Sequence, residues 1–280
     1  MLLLLESSDT QTQISLLHAL PGLIGVFTPR HMSIQDEGFN TILHILAART
    51  EEDLTATLLA KKGISPDLKN KEDRTPLSRA AQYGNVYMAN ALAERVDVTA
   101  DSTDHHNRTP LSWAAACGHD EIVRLLVKRD DVKVNSRDDY GQTPLAYSAF
   151  QGQARVANLI LKQKDVEVNS MDNNGRTPLS RAAARGHEEV VELFLERSDV
   201  KADSRDNYGR TALAYAAFQG EMGVVALLVK RNDIDVDSID DNGRTPLSWA
   251  AANGHEKIVR LLSEGKTYFL PENAFKYRFN

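Results

Sequence analysis

The chain has 280 residues, 42% of them hydrophobic and 26% charged, a balance that excludes intrinsic disorder and allows a substantial core. Its net charge of −6 excludes a general polyanion binder, because neutralising phosphates needs a concentrated basic surface, so nucleic acid is not an expected partner. With Cys117 as its one cysteine, it can form neither an internal disulfide nor a four-cysteine metal site. It suits a reducing compartment, the cytoplasm or the nucleus.

The opening Met1-Leu2-Leu3-Leu4-Leu5-Glu6 lacks the basic region of a signal sequence and meets a charge too soon. The apolar stretch 14–27 is broken by His18, Pro21, Gly22 and Gly25 and falls short of the ~20 residues that span a bilayer. No membrane association is expected. Ser8 or Asp9 is placed to cap a helix bearing Ile14, Leu17 and Leu20. Residues 1–35 are therefore expected to form a helical cap or a degenerate half-repeat.

From there the chain repeats itself. Thr75, Thr109, Thr143, Thr177, Thr211 and Thr245 recur every 34 residues, and the same phase reaches back to Thr41. Seven repeats are expected, at about residues 36–69, 70–103, 104–137, 138–171, 172–205, 206–239 and 240–265. Each threonine can accept a backbone N–H at a helix start. Proline after it loses nothing, since its missing donor would be unpaired there. A glycine nine residues after the threonine, as at Gly84 and Gly186, permits the left-handed turn that ends a helix. In the fifth repeat this predicts an inner helix over about Pro178 to Arg185. A second helix follows, bearing Val190, Val191, Leu193, Phe194 and Leu195, a stripe wide enough to require burial between neighbours. A 68-residue period lies over the first: Tyr140 to Gly152 nearly recurs at Tyr208 to Gly220, so repeats alternate between two kinds. After Gly265, residues 266–280 carry Tyr268, Phe269, Phe275, Tyr277 and Phe279. This aromatic tail is expected to fold over the last repeat or to dock elsewhere.

The segment Asn174-Gly175-Arg176-Thr177-Pro178-Leu179-Ser180, with Gly186-His187 and the valines after it, resembles the ankyrin repeat. The resemblance covers about Asp36 to Gly265. It departs from the family in carrying Ser or Ala where the motif histidine is usual, as at Ser78, Ala146 and Ser248, and in a unit one residue longer than the commonest 33. It implies an all-α solenoid of stacked helix-turn-helix repeats whose concave side and loop tips bind partner proteins. Units of this length are similar to fungal ankyrin arrays.

Helical phase puts one set of inner-helix side chains on that concave side. In chain order these include Arg79 and Tyr83, then Trp113, then Tyr147 and Phe150. Arg181 and Arg185 follow, then Tyr215 and Phe218, then Trp249 and Asn253. Aromatic residues and arginine carry much of the binding energy at protein interfaces. The loop tips add His105, His106, Tyr140 and Tyr208. Phe150 and Phe218 are equally suited to filling space between repeats, because alanines occupy their place in neighbouring units. Trp113, Trp249, Arg181 and Arg185 are expected to be available to a ligand. Arginines just before the motif threonine, such as Arg176 and Arg210, are expected to pair with nearby aspartates. This leaves Arg181 and Arg185 to favour an acidic partner.

No phosphate-cradling Gly-rich loop, His-Glu-x-x-His motif or cysteine cluster is present, so no cofactor or metal is expected. His105-His106 offers at most two of the usual four zinc ligands. His119, His187 and His255 follow motif glycines and are expected to order the turn between helices. Cys117, at a helix C-terminus, is expected to be unreactive. The expected function is a non-catalytic, monomeric scaffold or adaptor that holds a partner protein or peptide in the groove. A second reading is an accessory or regulatory protein of a fungal biosynthetic or sensor system. A third is an enzyme built on Tyr147, Tyr215 and the arginines.

Overall fold

The computed structural model describes Ser33 and residues 35–268. Among these residues there are fourteen helices and no strand: α1 (Ile42–Ala47), α2 (Glu52–Leu59), α3 (Pro76–Tyr83), α4 (Val86–Ala93), α5 (Pro110–Cys117), α6 (Asp120–Leu126), α7 (Pro144–Phe150), α8 (Ala154–Leu161), α9 (Pro178–Ala183), α10 (Glu188–Leu195), α11 (Ala212–Gln219), α12 (Met222–Leu228), α13 (Pro246–Ala252) and α14 (Glu256–Tyr268). Odd-numbered helices are the inner helix of each repeat and even-numbered ones the outer. None is long and apolar enough to cross a membrane. Nearly all of the expected cap over residues 1–35, and the aromatic tail beyond Tyr268, lie outside the described residues.

Local chemistry sets the helix ends. Thr75, Thr109, Thr177, Thr211 and Thr245 are extended, and each accepts the N–H of the residue three ahead. This satisfies a donor that the helix itself cannot. Gly84 ends α3 at φ 75°, and a Cβ there would also come within 2.5 Å of the His119 ring. Glycine is needed twice over, for the left-handed backbone and for the neighbouring repeat. Two boundaries differ from the sequence expectation. Inner helix α9 closes at Ala183 rather than Arg185, its last residues loosening into turns. Outer helix α14 continues through Gly265 to Tyr268, since a glycine inside a helix costs only about 1 kcal/mol against alanine.

The described residues fall into two compact units, one running to Ser148 with Asn158–Val166, the other comprising Ala149–Ala157 and the residues from Glu167. In the first, inner helix packs on inner helix (α1 on α3, α3 on α5) and outer on outer (α2 on α4, α4 on α6). In the second the same pairing joins α9, α11 and α13, and α10, α12 and α14. The fourth repeat, α7 and α8, is divided between the units. The inner helices bury a leucine and a pair of alanines per turn of the stack, as at Leu111, Ala114 and Ala115 or Leu213, Ala216 and Ala217. Small side chains here let neighbouring helices approach closely. The outer helices supply bulk through Met88 and Leu92, Ile122 and Leu126, and Val191 and Phe194, each worth roughly 1.5–3 kcal/mol on burial.

Polar ties cross the seams between repeats. His119, His187 and His255 do not merely order their own turns. Each places Nε2 within 3.0–3.1 Å of a carbonyl at the end of the preceding inner helix: Gln82, Phe150 and Phe218. Asn85 makes the equivalent tie by donating to Leu46 O at 3.1 Å. Glu221 occupies this place in the sixth repeat with no N–H to give, and its carboxylate lies against Gly186. In the first repeat, His44 is fully buried: Nδ1 accepts the Thr41 N–H at 3.1 Å and Nε2 donates to Arg74 O at 2.8 Å. Burial drives its pKa down to about 4, outweighing the carbonyl bond.

Two outcomes are expected. A folded-state pKa below the unfolded one means that the stability linked to His44 is complete above pH 6.5 and is lost as pH falls towards about 4, by roughly 3 kcal/mol. His44→Ser, which copies Ser78 and Ser112, should be less stable at pH 7 yet lack that slope in paired thermal melts. Glu221→His should gain a bond to Ala184 O and raise the melting temperature by ~2–4 °C; an unchanged or lower value would refute this account of the seam.

Candidate functional site

The surface predicted to bind is built on the loops before each motif threonine. In the third repeat Asp104 closes a turn: its Oδ1 accepts the N–H groups of His106 and Arg108, both at 2.9 Å. Asp138, Asp172, Asp206 and Asp240 repeat this arrangement 34 residues apart. Asn70 does the same with its side-chain oxygen. All five aspartates are buried, so their remaining carboxylate oxygen needs donors. The residue nine positions ahead on the inner helix supplies one. Trp113 Nε1 donates to Asp104 at 3.2 Å, and Tyr147 Oη to Asp138 at 2.5 Å. Arg181 donates to Asp172 at 2.7 Å, Tyr215 Oη to Asp206 at 2.6 Å and Trp249 Nε1 to Asp240 at 3.0 Å.

The arginine before the threonine completes the set. Arg108, Arg176 and Arg210 reach the same oxygens of Asp104, Asp172 and Asp206 at 2.9–3.1 Å. Burial by itself would raise the Asp104, Asp206 and Asp240 carboxyls. The converging N–H groups, with Tyr215 O–H on Asp206 and Trp249 N–H on Asp240, outweigh it and hold all three below the usual carboxylate range. Burial and the Asp206 bond push the Tyr215 hydroxyl well above its ordinary pKa.

This network revises the expected site. Arg181 was expected to face a ligand, but it is buried at 6% exposure, paired with Asp172, and stacked 4.5 Å from the Phe150 ring. Trp113 was also expected to be available. It is half-buried between the Arg74 and Arg108 guanidiniums, 4.3 and 4.0 Å from its ring, which cover its faces. Tyr147 and Tyr215 are half-buried, their hydroxyls committed to aspartates. Arg79 reaches back to Asn40 Oδ1 at 3.1 Å and lies over Tyr83.

Other expected residues do present themselves. Arg185 is exposed, its guanidinium carbon over the Phe150 ring at 4.2 Å, with no carboxylate paired to it among the described residues. Phe218 is exposed and meets Trp249 edge-on at 5.0 Å; Trp249 itself, expected to be available like Trp113, is half-buried, with its N–H on Asp240 and Arg244 over its ring at 4.3 Å. Phe150 and Phe218 thus touch the next repeat and keep part of their surface open. Tyr83 is exposed, as is Asn253, whose amide donates to Trp249 O.

At the loop tips of the first unit His105 and His106 are 4.0 Å apart and His106 lies 6.3 Å from Tyr140. His105 is held by Glu72 O at 2.9 Å, and His106 faces Asp139 at 3.7 Å. Tyr208, in the second unit, is exposed beneath Arg210. The described residues contain no group of three or more His, Cys, Asp or Glu fit to hold a metal. Cys117 is surface-accessible, and burial of its sulfur pushes the thiol pKa up.

The expected pairing of Arg176 and Arg210 with nearby aspartates is present, but sequence reasoning did not reach the further donors that the inner helix sends to the same aspartates, although their own 34-residue spacing marks them. Also passed over were the exposed apolar loop residues Phe39, Val96, Met171 and Ile239. Met171 and Ile239 lie 68 residues apart, so the two-repeat period marks them, whereas Phe39 and Val96 have no apolar counterpart at their register.

A sequence model of ankyrin repeats, spanning three copies, matches residues 14–102, 96–172, 132–206, 155–240 and 198–270. The chain belongs to the ankyrin-repeat family. Ankyrin repeats form a protein-interaction domain, and the two-helix stacks and seam ties above are that domain's architecture. The chain is also similar to the poly [ADP-ribose] polymerase tankyrase of Caenorhabditis elegans, 37% identical over 93 residues. That stretch is 33% of this chain and 4% of the tankyrase, and it lies in the ankyrin region alone.

Arg181 and Arg185 are therefore expected to respond oppositely to substitution. Arg181→Ala strips a charged donor from buried Asp172 and should cost roughly 2–3 kcal/mol in a denaturant melt. Arg185→Ala, at the surface, should stay within about 0.5 kcal/mol of the parent.

Proposed function

We propose that this chain is a non-catalytic scaffold or adaptor that holds an acidic segment of a partner protein against the exposed inner-helix face of its second unit. One observation carries the reading. The Arg185 guanidinium is exposed beside the Phe150 ring, with no carboxylate paired to it among the described residues, whereas Arg176, Arg181 and Arg210 nearby are each paired to an aspartate. A guanidinium laid on a ring keeps its N–H edge directed outward, suited to a bidentate carboxylate contact. Phe218 and Trp249 supply apolar surface in the same unit, and aromatic residues with arginine make the commonest interface anchors. The first unit offers a second, loop-tip patch in His105, His106 and Tyr140.

Non-catalysis is supported by the chemistry of the tyrosines. Their hydroxyls donate to buried aspartates, and the raised Tyr215 pKa leaves it a poor base or nucleophile at neutral pH. The polymerase activity in the tankyrase's name is not part of this reading, since the likeness covers 4% of that protein.

The test pairs Arg185→Glu with Phe218→Ala. Each variant should keep the parent's helical spectrum and melting temperature, while capture of the partner from native lysate, read by crosslinking and mass spectrometry against the parent, falls at least tenfold. Undiminished capture by both would overturn the placement on the second unit, and His106→Ala with Tyr140→Ala would then test the loop tips of the first.

A further inference from the structure

Eight residues before the motif threonines from Thr75 to Thr211, successive repeats carry Asp67, Asp101, Asn135, Asn169 and Asp203. The side chain at this position crosses to the loop of the following repeat. In Asn169 it makes a complementary pair of bonds, of which Asn135 shows the donating member. Asn169 Oδ1 accepts the Lys201 N–H at 2.8 Å, and its Nδ2 donates to Asp199 O at 2.8 Å. Asn135 Nδ2 donates likewise to Asp165 O at 2.7 Å.

The aspartate copies keep the first bond of this pair. Asp67 Oδ2 accepts the Thr99 N–H at 2.7 Å, Asp203 Oδ2 accepts the Asp235 N–H at 3.4 Å, and Asp101 accepts the Lys133 N–H. The other oxygen, Oδ1, then falls where the asparagines hold their donating nitrogen. The residue thirty ahead is an aspartate in each of these five copies, so the register of the asparagine copies assigns the place opposite Oδ1 to the carbonyl of Asp131 for Asp101 and of Asp233 for Asp203. A carboxylate oxygen so placed meets an acceptor and not a donor. Among the described residues, Oδ1 of Asp67, Asp101 and Asp203 is buried with no donor reaching it.

We propose that Asp101 and Asp203 are acid-responsive ties: each takes a proton from solvent onto Oδ1, and the O–H then donates to the carbonyl of Asp131 or Asp233, completing the bond pair that asparagine makes without protonation. The stack is thereby firmer at these two seams in acid than at neutral pH. The surroundings favour uptake. Asp203 faces the Asp233 and Asp235 carboxylates, with Arg205 opposing them. Asp101 faces the Asp131 carboxylate, with the Lys133 ammonium and the Ser136 hydroxyl on the other side. The carboxylates of Asp131 and Asp233 are themselves turned onto Arg129 and Arg231 at 2.6–2.7 Å, so those guanidiniums are already engaged. Burial pushes the Asp101 and Asp203 carboxyls up from their ordinary value. A folded pKa above the unfolded one contributes stability that is complete below about 3.8 and is lost as pH rises through the folded value.

The seam chemistry predicts a slope, which double comparison isolates from every other acid in the chain. Asp101→Asn and Asp203→Asn should each match the parent's melting temperature near pH 3.5 and exceed it by ~2–4 °C at pH 7. The reverse exchanges, Asn135→Asp and Asn169→Asp, should bring in the same slope with a lower melting temperature at pH 7. Carbon-detected NMR of the Asp101 and Asp203 carboxyls, which needs no substitution, should place their titration midpoints above the usual aspartate range. A pH-independent difference in melting temperature, or one that favours the parent at pH 7, overturns the proposal, as do midpoints at or below the usual range.

Discussion

A buried carboxylate that closes a loop turn is the interaction on which five successive repeats depend, the third to the seventh. Asp104 and its four counterparts are removed from water, which costs several kcal/mol for an unpaired charge, and the fold recovers this by aiming N–H and O–H groups at both oxygens. Two donors come from the backbone of the turn. A third comes from an inner-helix side chain nine residues on, whether Trp, Tyr or Arg. Chemically different side chains are interchangeable there because all three can present a donor at similar reach. The loop and the helix that follows it are thus fastened together before either meets a neighbouring repeat.

That fastening decides which side chains remain for recognition. Positions that helical phase turns toward one face divide into two classes according to whether an aspartate lies within reach. The residue four after the threonine is spent on the loop. Residues seven and eight after it, such as Phe150, Arg185 and Phe218, are one turn further along and beyond the carboxylate. The charge of the surface follows the same division. Arg108, Arg176, Arg181 and Arg210 are held by aspartates of their own repeats, Arg176 and Arg181 sharing Asp172, so part of the basic character of the surface is offset within the repeats.

Seams between repeats reuse a small set of polar ties, and variation in one residue changes how a seam behaves without changing its shape. Histidine after the motif glycine gives an N–H to the preceding helix, whereas glutamate in the same place cannot. Asparagine in the outer loops both gives and accepts, whereas aspartate only accepts until it is protonated. In a stack where each repeat touches only its neighbours, such local differences are not averaged over a common core. They set the order in which seams loosen.

The repeat length, the helix starts at the motif threonines and the left-handed ends at glycines such as Gly84 are legible in the residues alone. These depend on hydrogen bonds and packing within a few residues or at a fixed period, so a one-dimensional pattern carries them. It could not determine the fate of Arg181, Trp113 and Tyr215. Helical phase says only which way a side chain leaves its helix. Whether it ends in solvent or on a buried aspartate depends on how the preceding loop folds back, and the exposed Phe39, Met171 and Ile239 are decided in the same way. Tertiary structure alone places a carboxylate beside one arginine and leaves its neighbour four residues on, Arg185, without one, because the distance between loop and helix is fixed only when both are packed.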